Sequence, residues 1–234
     1  MMTAHIVASF DDELAKIDLL ITDMGDLAQT MLADATRALV EADLPLAQRV
    51  ISDDVVMDAR QREIDERCVA LIAKRQPMAQ DLRAVIGSIR IASDLERIGD
   101  LSKNIAKRVG AVGAGPMQRR FSHSLSGMTG MVGDQLEGVV RSHVTKDVDA
   151  LVTLRADDKR IDIQYTAVFR ELLTYMMEDP RNITACTHLL FCAKNLERIG
   201  DHATNIAENA FYMTTGRQLP ADRPKTDETT HTGS

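Results

Sequence analysis

Eight carboxylates in this chain are spaced as two matching sets. Glu96 and Asp100 sit four residues apart within Leu95-Glu96-Arg97-Ile98-Gly99-Asp100, and Glu197 and Asp201 repeat that spacing within Leu196-Glu197-Arg198-Ile199-Gly200-Asp201, 101 residues later. The match runs on into Asn104-Ile105-Ala106 and Asn205-Ile206-Ala207, so nine of twelve positions are identical. Upstream of each copy stands a second pair at the same spacing, Asp54 with Asp58 and Asp158 with Asp162. Residues four apart share a helix face about 6 Å apart. Packing by itself preserves apolar positions in a helical repeat, so a preserved acidic set points to chemistry. Carboxylates converging in this way suit divalent or trivalent cations that accept oxygen ligands, with Fe, Mn, Zn and Mg as candidates.

Two competing readings stay open at this level. Acids on a helix commonly form a solvated face, and Arg97 or Arg198 can pair at i,i+3 with Asp100 or Asp201. Gly99 and Gly200 cost about 1 kcal/mol each against Ala inside a helix. They serve either the approach of an ion to the backbone or the crossing of a neighbouring helix.

The elements that carry these acids are helices. Apolar residues recur at helical spacing almost throughout, predicting helices over about 10–42, 44–75, 78–111, 117–145, 147–178 and 180–215. Asp43-Leu44-Pro45 supplies a cap and an early-turn proline. Gln76-Pro77 breaks the chain, because proline lacks the N–H and disfavours helix in the residue before it. Asp179-Pro180 is a cap with proline at the first helical position. Gly216 suits a left-handed helix end. Gly110 to Pro116 reads as the linker between halves. From Arg217 onward the chain is polar and aperiodic, a mobile tail.

The fold expected is therefore all-α, two pseudo-symmetric three-helix bundles over 1–112 and 113–216, with the tail at 217–234. The second predicted helix runs Val50, Asp54, Met57, Gln61, Ile64, Cys68, Leu71, and the fifth runs Leu154, Asp158, Ile161, Tyr165, Val168, Leu172, Tyr175. Each seam contains an acid. The repeat is not traceable by eye through the first and fourth helices, where Met24-Gly25 finds no clean match near Met128.

Antiparallel helices bring residues equidistant from their turn to one level. Asp54 with Asp100, and Asp58 with Glu96, are centred on Pro77; Asp158 with Asp201, and Asp162 with Glu197, are centred on Asp179-Pro180. Helix axes pack about 8–10 Å apart, so each half can gather four carboxylates.

Composition excludes other classes. The net charge of −7 argues against nucleic-acid binding, which needs a basic stripe. Met1 to Phe10 lacks the pattern of a signal peptide, and no apolar run approaches a membrane span, so a cytoplasmic protein that meets a membrane only through partners is expected. Aromatic residues are 3% with no Trp, which leaves a core of aliphatic residues and Met, Met176-Met177 included. Cys68, Cys186 and Cys192 lack ligand spacing and read as small core residues of a reducing compartment. A ferritin-like di-iron site needs Glu-x-x-His pairs, which are missing; His202 follows Asp201 without a counterpart at Leu101 and reads as an auxiliary or surface group. With no nucleophile–base pair, P-loop or dinucleotide fingerprint, the chain is not expected to be an enzyme.

Several segments together resemble the PhoU family of bacterial phosphate-signalling regulators. They are Met24-Gly25, Arg75-Gln76-Pro77 with Asp81-Leu82-Arg83, both Leu-Glu-Arg-Ile-Gly-Asp motifs, Thr174 to Asp179, and Tyr212 to Gly216. The resemblance spans about residues 5–216. It implies two similar three-helix bundles with acidic metal-binding surfaces, mapped here onto Glu96, Asp100, Glu197 and Asp201 with Asp54, Asp58, Asp158 and Asp162 opposite. It further implies negative control of the phosphate-starvation response, exerted between the ATPase subunit of the phosphate ABC transporter and a sensor histidine kinase. A homodimer is likewise implied. The alternatives are a phosphate-uptake or metal-homeostasis accessory protein without kinase contact, and a carboxylate-bridged metalloenzyme.

Overall fold

The structure, a computed structural model, describes residues 2–219, with side chains from Phe10 onward apart from that of Asp157. The predicted tail lies outside the described residues from position 220. Six long helices carry the fold: α1 (Met2–Glu41), α2 (Leu44–Arg75), α3 (Gln80–Ala106), α5 (Pro116–Thr145), α6 (Val148–Glu178) and α7 (Ile183–Thr215), with α4 (Val109–Val112) a single turn. No strand occurs among the described residues. The predicted third helix is thus interrupted at Lys107–Arg108, and the predicted sixth opens with a 3-10 turn at Pro180–Asn182.

The stops follow local chemistry. Asp43 accepts a hydrogen bond from the Leu46 amide at 2.9 Å, and Asp147 accepts one from the Ala150 amide at 3.0 Å. These two N-caps lie 104 residues apart. Asp179 closes α6 and accepts from the Arg181 amide, and Gly216 ends α7 at φ +71°. At the first hairpin tip Gln76 adopts φ +48°, a left-handed end without glycine.

Within each half all three helices touch: α1, α2 and α3 in the first, α5, α6 and α7 in the second. The halves join through α3 on α7 and α1 on α5. Both of these pairs run antiparallel. Along α3 and α7 the contacts pass from Gly87 and Met213, through Asp94 and His202, to Arg108 and His188. Along α1 and α5 they pass from His143 and Asp18 to Thr36 and Thr129. The result is a four-helix layer in the order α2, α3, α7, α6, with α1 and α5 lying across it. One apolar core runs through both halves.

The repeat extends through the helices where it was not legible. At a constant offset of 104, Ile17, Ile21, Met24, Leu32 and Ala35 of α1 correspond to Phe121, Leu125, Met128, Leu136 and Val139 of α5, and all ten are buried. The offset is 101 for α3 and α7, so the three-residue difference falls in the hairpin turns. The cysteines are buried core residues. Burial pushes the Cys68 and Cys192 thiols up to about 12. Two methionines depart from expectation: Met78, at the first hairpin tip, is 80% exposed, and beside Met176, which packs on the core, Met177 is 85% exposed. Met177 lies one residue, or about 100°, beyond the buried stripe of its helix.

Candidate functional site

In each half a glycine sets the level of the two helices that carry the acids. A methyl group at Gly99 would lie 3.0 Å from Met57 Cγ, and one at Gly200 would lie 3.0 Å from Ile161 Cδ1. Met57 and Ile161 are equivalent knobs, each three residues beyond an acid of its own helix (Asp54, Asp158). Gly99 and Gly200 each lie three residues beyond Glu96 or Glu197. Knob and glycine lock the two helices in register, and the acids on either side of the contact follow. The glycines are therefore helix-crossing points. Beneath them lie Met31 in the first half and Gln135 in the second, which are again equivalent positions.

Both clusters open away from α1 and α5, because those helices fill the opposite side of the α2/α3 and α6/α7 grooves. In the first cluster the side chains of Asp54 and Glu96 are 14% and 15% exposed. Lys103 Nζ donates to Asp54 Oδ2 across the helix pair and to Asp100 Oδ1 on its own helix, each at 2.6 Å. Arg97 lies 3.5 Å from Glu96 Oε2 and from Asp100 Oδ2, on the exposed side. Burial lifts the Glu96 carboxyl above its ordinary range. Asp100, Asp58 and Asp54 push it the same way, against the pull of Arg97. Glu96 thus feels the other three predicted acids of this half. Burial pulls Lys103 down, but its bonds to Asp100 and Asp54 outweigh that and hold the ammonium above the usual lysine range.

The second cluster is built from the same acids with a different cation. Asp158 is buried, and Glu197 is 13% exposed. Lys194 Nζ lies 2.7 Å from Glu197 Oε2 and donates to Oε1 at 2.8 Å. Its ammonium also lies 5.1 Å from the Tyr165 ring centroid. Burial again lifts the Glu197 carboxyl, and Asp201 and Asp162 add to it against Lys194. Where the first half has Lys103 the second has Thr204, fully buried, whose hydroxyl accepts from Gln135 Nε2 at 3.1 Å. Where the second has Lys194 the first has Ser93. Each cluster therefore carries one tethered ammonium, on the Asp54–Asp100 rung in one half and on Glu197 in the other.

The lysines are the members that the spacing argument missed, although Asp100–Lys103 and Lys194–Glu197 are both i,i+3 pairs. Among the described residues no three His, Cys, Asp or Glu side chains are drawn together as the ligands of one ion. The donor set is nonetheless oxygen only, and the Lys103 ammonium shows that two of these carboxylates accept a common cation. An oxygen-only donor set is the kind that a hard cation would take. His202 belongs elsewhere: its Nδ1 lies 2.9 Å from Asp94 Oδ1 across the α3/α7 seam, where Asn205 Nδ2 approaches the same oxygen at 3.4 Å.

Comparison with known proteins agrees with this fold. The model of the PhoU domain matches twice, over residues 21–109 and 125–210, one match per half. A phosphate-specific transport system accessory protein PhoU homolog of Rhizobium meliloti (strain 1021) is 54% identical over 234 residues, covering 100% of this chain and 99% of that one. Its counterpart in Caulobacter vibrioides (strain NA1000 / CB15N) is 45% identical over 226 residues, covering 97% and 98%. The crystal structure of PhoU from Pseudomonas aeruginosa superposes with a TM-score of 0.84 at 36% identity, covering 89% of this chain and 100% of that one. The phosphate transport system regulatory protein PhoU from Streptococcus pneumoniae gives 0.82 at 28% identity, covering 90% and 99%. With two domain matches, relatives along its whole length and the same helical architecture, the chain belongs to the PhoU family.

Proposed function

We propose that this chain is a negative regulator of the bacterial phosphate-starvation response. It couples the ATPase subunit of the phosphate ABC transporter to a phosphate sensor histidine kinase and holds the kinase inactive when phosphate is plentiful. The observation that carries the reading is the full-length similarity to phosphate transport accessory proteins. The role is one of binding rather than catalysis. Its site is the cytoplasm, as a homodimer that meets the membrane through its partners. No helix among the described residues is long and apolar enough to cross a membrane. The net charge of −7 disfavours nucleic acid as a partner.

The acidic clusters are proposed to hold hard cations, Fe, Mn, Zn or Mg. The ligands would be Asp54, Asp58, Glu96 and Asp100 in one half and Asp158, Asp162, Glu197 and Asp201 in the other. A bound cation supplies the charge that lets partly buried carboxylates lie side by side. The protein's part is to fix their level through the Met57–Gly99 and Ile161–Gly200 contacts.

Deleting the gene should leave a phosphate-starvation reporter on in high phosphate, and returning the wild-type gene should switch it off. Normal repression in the deletion strain would reject the regulatory reading. The relatives' names speak of transport, which favours a second reading as an uptake accessory without kinase contact. Under that reading, deletion alters phosphate uptake while the kinase output still follows external phosphate.

A further inference from the structure

Lys103 already occupies two carboxylates of the first cluster. Its ammonium is accepted by Asp54 and Asp100 at 2.6 Å each, the rung that spans α2 and α3. Its side chain is only 18% exposed, so the ammonium is largely withdrawn from solvent. The same position in the other half is Thr204, turned to Gln135 in the core. A lysine at this position is therefore a feature of the first half.

We propose that Lys103 is a tethered competitor for the cation of the first cluster, and that loading exchanges the ammonium for the ion. The proposal rests on the reading of the clusters as cation sites. The exchange needs no chemistry beyond ligand replacement: the carboxylates of Asp54 and Asp100 trade two N–H donors for one ion. A lysine stem of four methylenes is long and flexible, and the adjoining Asn104 is exposed, so the ammonium can swing into water. Its new position presents a mobile positive charge beside the loaded cluster, and the unloaded state withdraws it. Metal occupancy thereby becomes a change in surface charge pattern on the four-helix layer, in a form that a protein partner can read.

The exchange is tested by lysine accessibility. Full-length protein stripped with EDTA is titrated with Mn2+, uptake is followed by electron paramagnetic resonance, and accessible lysines are acetylated with an N-hydroxysuccinimide ester and quantified by mass spectrometry. Acetylation of Lys103 should rise several-fold as Mn2+ saturates, while that of Lys74, an exposed lysine remote from the cluster, stays constant. Lys103→Met keeps the apolar stem and removes the competitor. In the background Glu197→Gln/Asp201→Asn, which weakens the second cluster, it should tighten Mn2+ binding about tenfold, as expected for releasing two ion pairs. Should Lys103→Met fold poorly, the acetylation measurement on wild type stands by itself. Mn2+ uptake with unchanged acetylation of Lys103 overturns the exchange and leaves the cation reading intact. Absence of uptake of Mn2+, Fe3+, Zn2+ and Mg2+ in both wild type and Lys103→Met overturns both.

Discussion

Lys103 of α3 and Asp54 of α2 are 49 residues apart in sequence and 2.6 Å apart in space. Their contact, shared with Asp100, closes the rung that the hairpin geometry aligns. Lys103→Met should therefore destabilise the protein in EDTA by about 1–2 kcal/mol, since it takes a shared donor from two partly buried carboxylates and leaves Asp100 only the longer contact to Arg97. Because the folded-state pKa of Lys103 is raised, the contribution of its charge is complete below the unfolded value of 10.5 and fades as pH rises through the folded one. Urea unfolding of Lys103→Met, Asp54→Asn and the double variant checks this. The two single losses should sum to more than the double loss.

Glu96 and Glu197 are lifted above their ordinary value of 4.5, in both cases chiefly by burial. A carboxyl raised in the folded state favours folding when protonated, so this contribution is lost as pH rises from 4.5 through the folded value. Without metal, Glu96→Gln and Glu197→Gln should each stabilise the protein at pH 7, and the gain should vanish below pH 4.5. Thermal melts across that range in EDTA provide the measurement. A gain that persists into acid would mean that charge is not its origin.

With metal, the same acids should change sign. Glu96→Gln with Asp100→Asn keeps shape and removes two charges. After identical purification its metal content should fall by the share of the first half, and excess metal should stabilise it less than wild type. Equal metal content in variant and wild type would exclude both residues as ligands. A stability gain that excess metal leaves unchanged would identify the face as a bare acidic docking surface.

Gly25 is the contact point of α1 on α5. A methyl group there would meet both γ-carbons of Val140 at 2.9 Å. Val140 is β-branched, with one strongly preferred helical rotamer, and is 5% exposed, so it has little room to turn away. Gly25→Ala should cost about 1–3 kcal/mol through overpacking, after allowance for the helix propensity that alanine gains. Adding Val140→Ala should recover part of the loss, as a double-variant unfolding series would show.

Thr204 and Gln135 form the polar contact under Gly200, and Gln135 Oε1 is buried without a partner. Thr204→Val alone should cost about 1–2 kcal/mol, because the buried amide then keeps only the Leu154 carbonyl, at 3.5 Å, as its acceptor. Gln135→Met with Thr204→Val, which restores at position 135 the residue that the first half carries as Met31, should be close to neutral or stabilising. Calorimetric melting temperatures of the two variants decide between these outcomes.

Much of this arrangement follows from local rules that the chain carries by itself. Asp43 starts a helix through its side-chain cap and Gly216 ends one through its left-handed backbone, and Pro77 and Pro180 fix where the hairpins turn. Once the turns are placed, helical periodicity brings Asp54 level with Asp100 and Asp162 level with Glu197. That is why the eight acids could be grouped without coordinates. Three features needed the tertiary structure. The repeat through α1 and α5 is masked because packing conserved burial and let volume and polarity drift, as in Met31 against Gln135 and Leu39 against His143. The antiparallel joining of α3 to α7 depends on long-range apolar contacts that no local spacing encodes. The lysines that answer the acids were visible as i,i+3 pairs, but a flexible side chain does not announce its rotamer. Only the packed groove decides that Lys103 reaches across to Asp54 and that Lys194 stays on Glu197 beside Tyr165.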